Sequence, residues 1–176
     1  VESLKFSKVL FLKAMKNGVK RIINLSSQSV YGQANEKLPD ETMSVNPRYL
    51  YSLAKAANEV LIEGIMEANI GAVDNSLYTN IRLASLIGVN NIIPDDIISK
   101  FIEDAIYNKT IHIIGGKQKF SFLDIKDAAD AVCRLVQKEN MMWKREYNLG
   151  NNYQINIMDI AQEVNCCLES LGLDSA

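Results

Sequence analysis

The chain has 176 residues, 48% of them hydrophobic, enough to build a core at ordinary domain length. Lys and Arg number 19 against 21 Asp and Glu, a formal net charge of −2 with the signs interspersed, so no basic face for a nucleic-acid backbone is expected. Lys, Glu or Asn breaks each apolar stretch well before the roughly 20 residues needed to span a bilayer, and no signal peptide opens the chain; a cytoplasmic protein without a membrane partner is expected.

Val1 is not a methionine, and the first segment reads as a helix already in mid-pattern, so an upstream part is expected to be missing. Leu4, Val9, Leu10, Leu12 and Ala14 suggest an amphipathic helix over Glu2 to Lys16, stopped by Asn17-Gly18. Arg21 to Leu25 is a short β-branched run. It ends in Ser26-Ser27-Gln28-Ser29, as a buried parallel strand does when it delivers polar side chains at its C-terminal edge. Gln33 to Arg48, with Pro39 and Pro47, reads as a loop. From Tyr49 to about Ala68 a long helix is predicted, with Leu50, Leu53, Ala54 and Ala57 supplying much of its packing surface.

Asn80 to Ser85 reads as a strand, and Pro94 with Asp95 and Asp96 as the opening of a helix to about Asn108. Thr110 to Ile114 reads as a short strand before Gly115-Gly116, and His112 within it as a structural imidazole. Phe120 to Ile125 is extended, Asp127 starts a helix to about Lys138, and Tyr147 to Leu149 is extended again. Asn156, with Asp159 three residues on, caps a last helix to about Leu171. Cys133, Cys166 and Cys167 have no metal-ligand spacing with His112 and read as reduced thiols on helices; no metal is expected. Alternating strands and helices predict an α/β fold built on parallel βαβ units.

Tyr51-Ser52-Leu53-Ala54-Lys55 sets a phenol and an ammonium four residues apart, on one helix face. A phenol, with a reference pKa of about 10, is a poor acid or base at neutral pH, and a nearby cation favours the phenolate. Tyr51 is the only one of the seven tyrosines with lysine at this spacing, and a Ser-rich strand end precedes it by one loop. A hydroxyl there can hydrogen-bond a substrate oxygen.

Ser26-Ser27-Gln28-Ser29-Val30-Tyr31-Gly32, Tyr51-Ser52-Leu53-Ala54-Lys55 and Glu59 together resemble the active-site core of the extended short-chain dehydrogenase/reductase family, the NAD-dependent epimerases and dehydratases. Ile81-Arg82-Leu83 with Gly88, Gly116-Lys117-Gln118 through Asp127, and Tyr147-Asn148-Leu149-Gly150 resemble later family segments in the same order. The resemblance implies a partial Rossmann-like parallel sheet with flanking helices in residues 1–90. Residues 91–176 would form part of a small C-terminal substrate domain, with segments returning to the core. It implies Tyr51 as general acid/base, and Lys55 as the group that holds the nicotinamide ribose and assists the phenol. Ser27 would hydrogen-bond the reacting oxygen, with Ser26 as its nearest rival, and Leu83 would lie beside the nicotinamide. NAD, or else NADP, is the implied cofactor and a nucleotide sugar or related alcohol the implied substrate. A homodimer through Glu2 to Lys16 and Leu50 to Ala68 is implied as well.

The sequence departs from the family at three places. Its glycine-rich pyrophosphate turn is not found in these residues, and Gly115-Gly116 lacks the third glycine and helix that would replace it, so this chain alone is expected to be inactive. Phe120 stands where many nucleotide-sugar enzymes carry an arginine that pairs with the diphosphate; Lys117 or Lys119 could supply positive charge instead. The family also continues past the last helix. A non-catalytic domain serving as a binding or assembly module is the competing expectation.

Overall fold

The structure, a computed structural model, describes residues 2–32, 38–68, 77–88 and 96–173. Three parallel strands organise it: β1 (Arg21–Ser27), β2 (Leu77–Leu83) and β6 (Glu146–Leu149), in the order β1-β2-β6. Two short pairs flank this sheet. β3 (Ser85–Ile87) runs parallel to β5 (Phe122–Asp124), and β4 (Lys119–Phe120) runs antiparallel to β7 (Ile155–Asn156).

Two helices, α1 (Glu2–Lys16) and α2 (Leu50–Ala68), cover one face of the sheet, where Met15, Ile22, Ile62, Ile65, Met66 and Tyr78 form a core. Their inward faces match the predicted ones only in part. α2 buries Ser52, Ala56, Glu59, Ile62, Ile65 and Met66, while Leu50 and Leu53 point to solvent; α1 turns Phe11, Ala14 and Met15 inward and exposes Val9, Leu10 and Leu12. Both helices carry apolar residues on two sides, so periodicity alone does not say which side meets the sheet.

The C-terminal core joins α3 (Ile97–Glu103) and the π-helical turn after it to α5 (Ile157–Ser170), through Phe101, Ala105, Phe122, Ile160 and Val164. α4 (Ile125–Gln137) packs Ala128 against Ala84 and Leu123. Its cap is Asp124 rather than Asp127, accepting from the Lys126 N–H at 2.7 Å. Pro94 and Asp95, the expected helix opening, lie outside the described residues; Asp96 caps α3.

Thr110 to Ile114 is not a strand. Lys109, with φ of 54°, turns the chain out of the preceding helix, the Asp104 carboxylate accepts the His112 N–H at 3.3 Å, and the Gln118 side chain bridges the Ile114 carbonyl and the Gly116 N–H at 2.8 and 2.7 Å. Side chains thus take up the polar groups that a ladder would have paired. The alternation itself is real, since Ile111 and Ile113 pack on the C-terminal core while Ile114 is exposed.

Candidate active site

The face of the sheet under α2 changes character along the strands. Ile22 beside Tyr78 is apolar, Asn24 bonds across to Asn80 at 2.8 Å, and the last step on this face sets Ser26 beside Arg82. Polarity therefore rises toward the C-terminal edge, where a cavity of about 1070 Å³ opens. Ser27 and Leu83, the final residues of β1 and β2, are register partners and both line it. Tyr51 and Lys55, on the first turns of α2, line it too, so the structure brings all four sequence-predicted site residues to one cavity.

Lys55 anchors the helix to the strand by donating from Nζ to the Leu25 carbonyl at 2.8 Å. The same ammonium sits 5.6 Å from the Tyr51 ring centroid, and Tyr51 is 61% exposed. The adjacent serines differ. Ser26 is 2% exposed and donates its hydroxyl to the Glu59 carboxylate. Ser27 caps the short 3-10 turn Gln28–Tyr31, its Oγ accepting from the Ser29 N–H at 3.2 Å. That bond leaves the Ser27 hydroxyl hydrogen available to a ligand.

Sequence reasoning missed the group beneath these residues. Arg82 donates from Nη2 and Nε to Glu59 at 2.7 and 3.2 Å and from Nη1 to the Tyr31 hydroxyl at 2.8 Å; Glu59 and Arg82 are both buried. Burial works against the Arg82 charge, but hydrogen bonds to Glu59 and Tyr31 outweigh it and hold its pKa above the ordinary value. Tyr31 in turn donates to the Asn148 Oδ1 at 3.0 Å. A signal existed in the sequence: Glu59 stands at helical spacing in the stripe of α2 that holds Ser52, Ala56 and Ile62, an acidic residue on the side that packs inward.

Two glycines let the site close up. Gly32 has φ of 88°, and a Cβ there would meet the Asn46 carbonyl oxygen. A Cβ on Gly150 would lie 2.8 Å from the Ala84 Cβ and 3.0 Å from the Gln28 Nε2, so the end of β6 fits against the ends of both other strands only as glycine. On the far wall Phe120 stacks on Phe122 with ring centroids 5.9 Å apart, and exposed Lys119 beside it lines the cavity; Lys117 does not. Among the described residues no cluster of His, Cys, Asp and Glu could hold a metal ion, and no helix is long and apolar enough to cross a membrane.

A sequence profile of the NAD dependent epimerase/dehydratase family matches residues 4–150. The dTDP-D-glucose 4,6-dehydratase of Mus musculus is 27% identical over 157 residues, covering 89% of this chain and 42% of the mouse protein. An uncharacterized 37.6 kDa protein of Escherichia coli O111:H- is 27% identical over 179 residues, covering 90% of this chain and 50% of its own length. Among solved structures, an NAD dependent NDP-hexosamine 5,6-dehydratase of tunicamycin biosynthesis superposes with a TM-score of 0.82 at 19% identity, over 98% of this chain and 54% of that one. The UDP-glucuronic acid 4-epimerase of Bacillus cereus, solved with UDP-glucuronic acid and NAD, does so with a TM-score of 0.82 at 18% identity, over 98% of this chain and 52% of that one. The chain thus spans about half the length of these relatives.

Proposed function

The chain belongs to the NAD dependent epimerase/dehydratase family, and on that premise we propose that its cavity serves alcohol–carbonyl redox chemistry on a nucleotide sugar. The observation that carries this reading is the convergence of Tyr51, Lys55, Ser27 and Leu83 on one cavity at the C-terminal edge of a parallel sheet. NAD, when bound, accepts a hydride from the sugar carbon and can return it. The residues fit that cofactor at its ribose end, since Lys55 spends one N–H on the Leu25 carbonyl and keeps two donors at the cavity. Tyr51 removes the hydroxyl proton from the sugar, with the Lys55 ammonium 5.6 Å from its ring centroid. Ser27, rather than Ser26 whose hydroxyl is spent on Glu59, donates to the same oxygen and orients it.

Residues 1–90 then carry the reacting groups, and residues 91–176 contribute the substrate wall through Lys119 and Phe120. NAD is preferred to NADP because the two dehydratase and epimerase structures above are NAD proteins. A cytoplasmic setting accords with three unpaired cysteines. The outward apolar faces of α1 and α2 support a homodimer.

Calorimetric titration of NAD and NADP into the chain gives the first check: saturable binding shows that these residues complete a cofactor site and warrants a screen of nucleotide sugars, whereas binding of neither moves the assay to a longer form that carries the glycine-rich turn. In whatever length of the protein shows turnover, Tyr51→Phe should lower kcat by about 10²-fold or more with the circular dichroism unchanged. Undiminished turnover removes Tyr51 from its role.

A further inference from the structure

We propose that the buried Glu59–Arg82 ion pair is a positioning device, which fixes the substrate-facing wall of the cavity through Tyr31 and Asn148. The proposal rests on the reading of the cavity as a nucleotide-sugar site.

Arg82 divides its donors between two tasks. Nε and Nη2 hold Glu59, while Nη1 reaches the Tyr31 hydroxyl at 2.8 Å and the guanidinium carbon lies 5.0 Å from the Tyr31 ring centroid. The guanidinium is therefore fixed from both sides and can place the phenol as a rigid fork does. Tyr31 accepts from Arg82 and donates to the Asn148 Oδ1. Asn148 then uses its remaining donors on one segment, Nδ2 to the Pro39 carbonyl at 2.9 Å and the backbone N–H to the Glu41 carboxylate at 2.5 Å.

Residues 38–46 have no helix or strand of their own, yet Pro39, Met43, Ser44 and Asn46 form one wall of the cavity. Their position is set by these two bonds and by the Asn46 N–H on the Val30 carbonyl at 2.8 Å. At its other end the pair takes the Ser26 hydroxyl, next to Ser27. One buried charge pair thus ties the reacting strand end to the wall opposite. A pair kept for stability alone would not need the Tyr31 branch, because buried ion pairs give little net stabilisation over apolar packing. Lys55 is anchored separately on Leu25, so the device acts on the sugar side of the cavity and not on the cofactor side.

Tyr31→Phe deletes a single oxygen, and Arg82→Lys keeps a cation opposite Glu59 while losing the fork. Calorimetry with UDP-glucose and dTDP-glucose as probes, alongside NAD, should show the nucleotide-sugar Kd raised about tenfold in both variants, the effect of a lost relay bond of ordinary strength, with NAD affinity within about twofold. Hydrogen exchange should quicken at residues 38–46 and not in α2. In a form that turns over, the loss should fall on KM rather than kcat. Wild-type sugar affinity in both variants overturns the proposal, whether or not exchange quickens, because the pair is then structural only. If the wild-type chain binds NAD but neither nucleotide sugar, the substrate reading itself fails and the positioning role falls with it.

Discussion

Glu59 and Arg82 show how much one residue can depend on another. Removing one partner leaves a desolvated charge, so Glu59→Ala should cost about 3–5 kcal/mol in urea unfolding, whereas the double change Glu59→Leu with Arg82→Met should cost far less. A double variant no more stable than the single one would show that the charges themselves hold the fold. By contrast, the Arg145–Glu63 pair is about half exposed, and its loss is worth under about 1 kcal/mol. Glu146 gives a pH test. Its carboxyl pKa is raised, chiefly by burial, with Arg82 opposing and Glu59 adding to the rise. A carboxyl with a raised folded-state pKa binds more protons folded than unfolded, so its charge costs stability above the folded pKa. That cost disappears as the pH falls through the folded pKa to the ordinary carboxylate value. Glu146→Gln should therefore raise the Tm at neutral pH, with the gain shrinking on acidification; a gain that grows toward acid pH would contradict this sign. Tyr51 and Lys55 stand out in the sequence because their spacing is local, whereas Ser27 is singled out only through the family resemblance. Arg82 and Tyr31 meet across 51 residues, and nothing in their own neighbourhoods announces the pairing.

At the scale of elements, local chemistry was the better guide. Asn156 was legible as a cap, and in the structure its Oδ1 accepts the Met158 and Asp159 N–H groups at 2.6 and 3.1 Å. Since α5 supplies Ile160, Val164 and Leu168 to the C-terminal core, Asn156→Ala should lower stability by about 1 kcal/mol, measured by chemical denaturation. A loss below a few tenths would show that packing alone fixes the start of the helix. The strand expected over Thr110 to Ile114 failed for the complementary reason. Its alternating isoleucines satisfy the pattern, but a strand also needs a partner, and Asp104 and Gln118 satisfy the backbone first. The inward face of α2 was misread because Leu50 and Leu53 are as apolar as the residues that do pack. Only the sheet decides between the two sides.

At the scale of the whole molecule, the parallel pairing within the sheet β1-β2-β6 follows from the alternation of strands and helices, and the placing of the cavity follows from the polar strand ends. What the alternation leaves open is the outer surface of the helical layer. Leu50, Leu53, Ala57, Val60 and Gly64 recur at helical spacing on one side of α2, with Leu50 86% and Val60 68% exposed; α1 adds Phe6 at 68%, with Val9 and Leu10. Burying each large apolar side chain is worth about 1.5–3 kcal/mol, so a second copy laid across this face would recover much more than the surface loses by staying wet. Two helices from each copy would then pack as a four-helix layer, and Gly64, with open space where a Cβ would stand, permits close approach at its far end. Light scattering at high concentration should give twice the chain mass, and Leu53→Glu with Val60→Glu should return it to the single-chain value while leaving the fold intact. Tyr51 lies on the same helix as this face, so the double variant should also alter NAD affinity if pairing steadies the first turn of α2. A wild-type chain that stays monomeric would remove the homodimer and leave these apolar residues for a different partner.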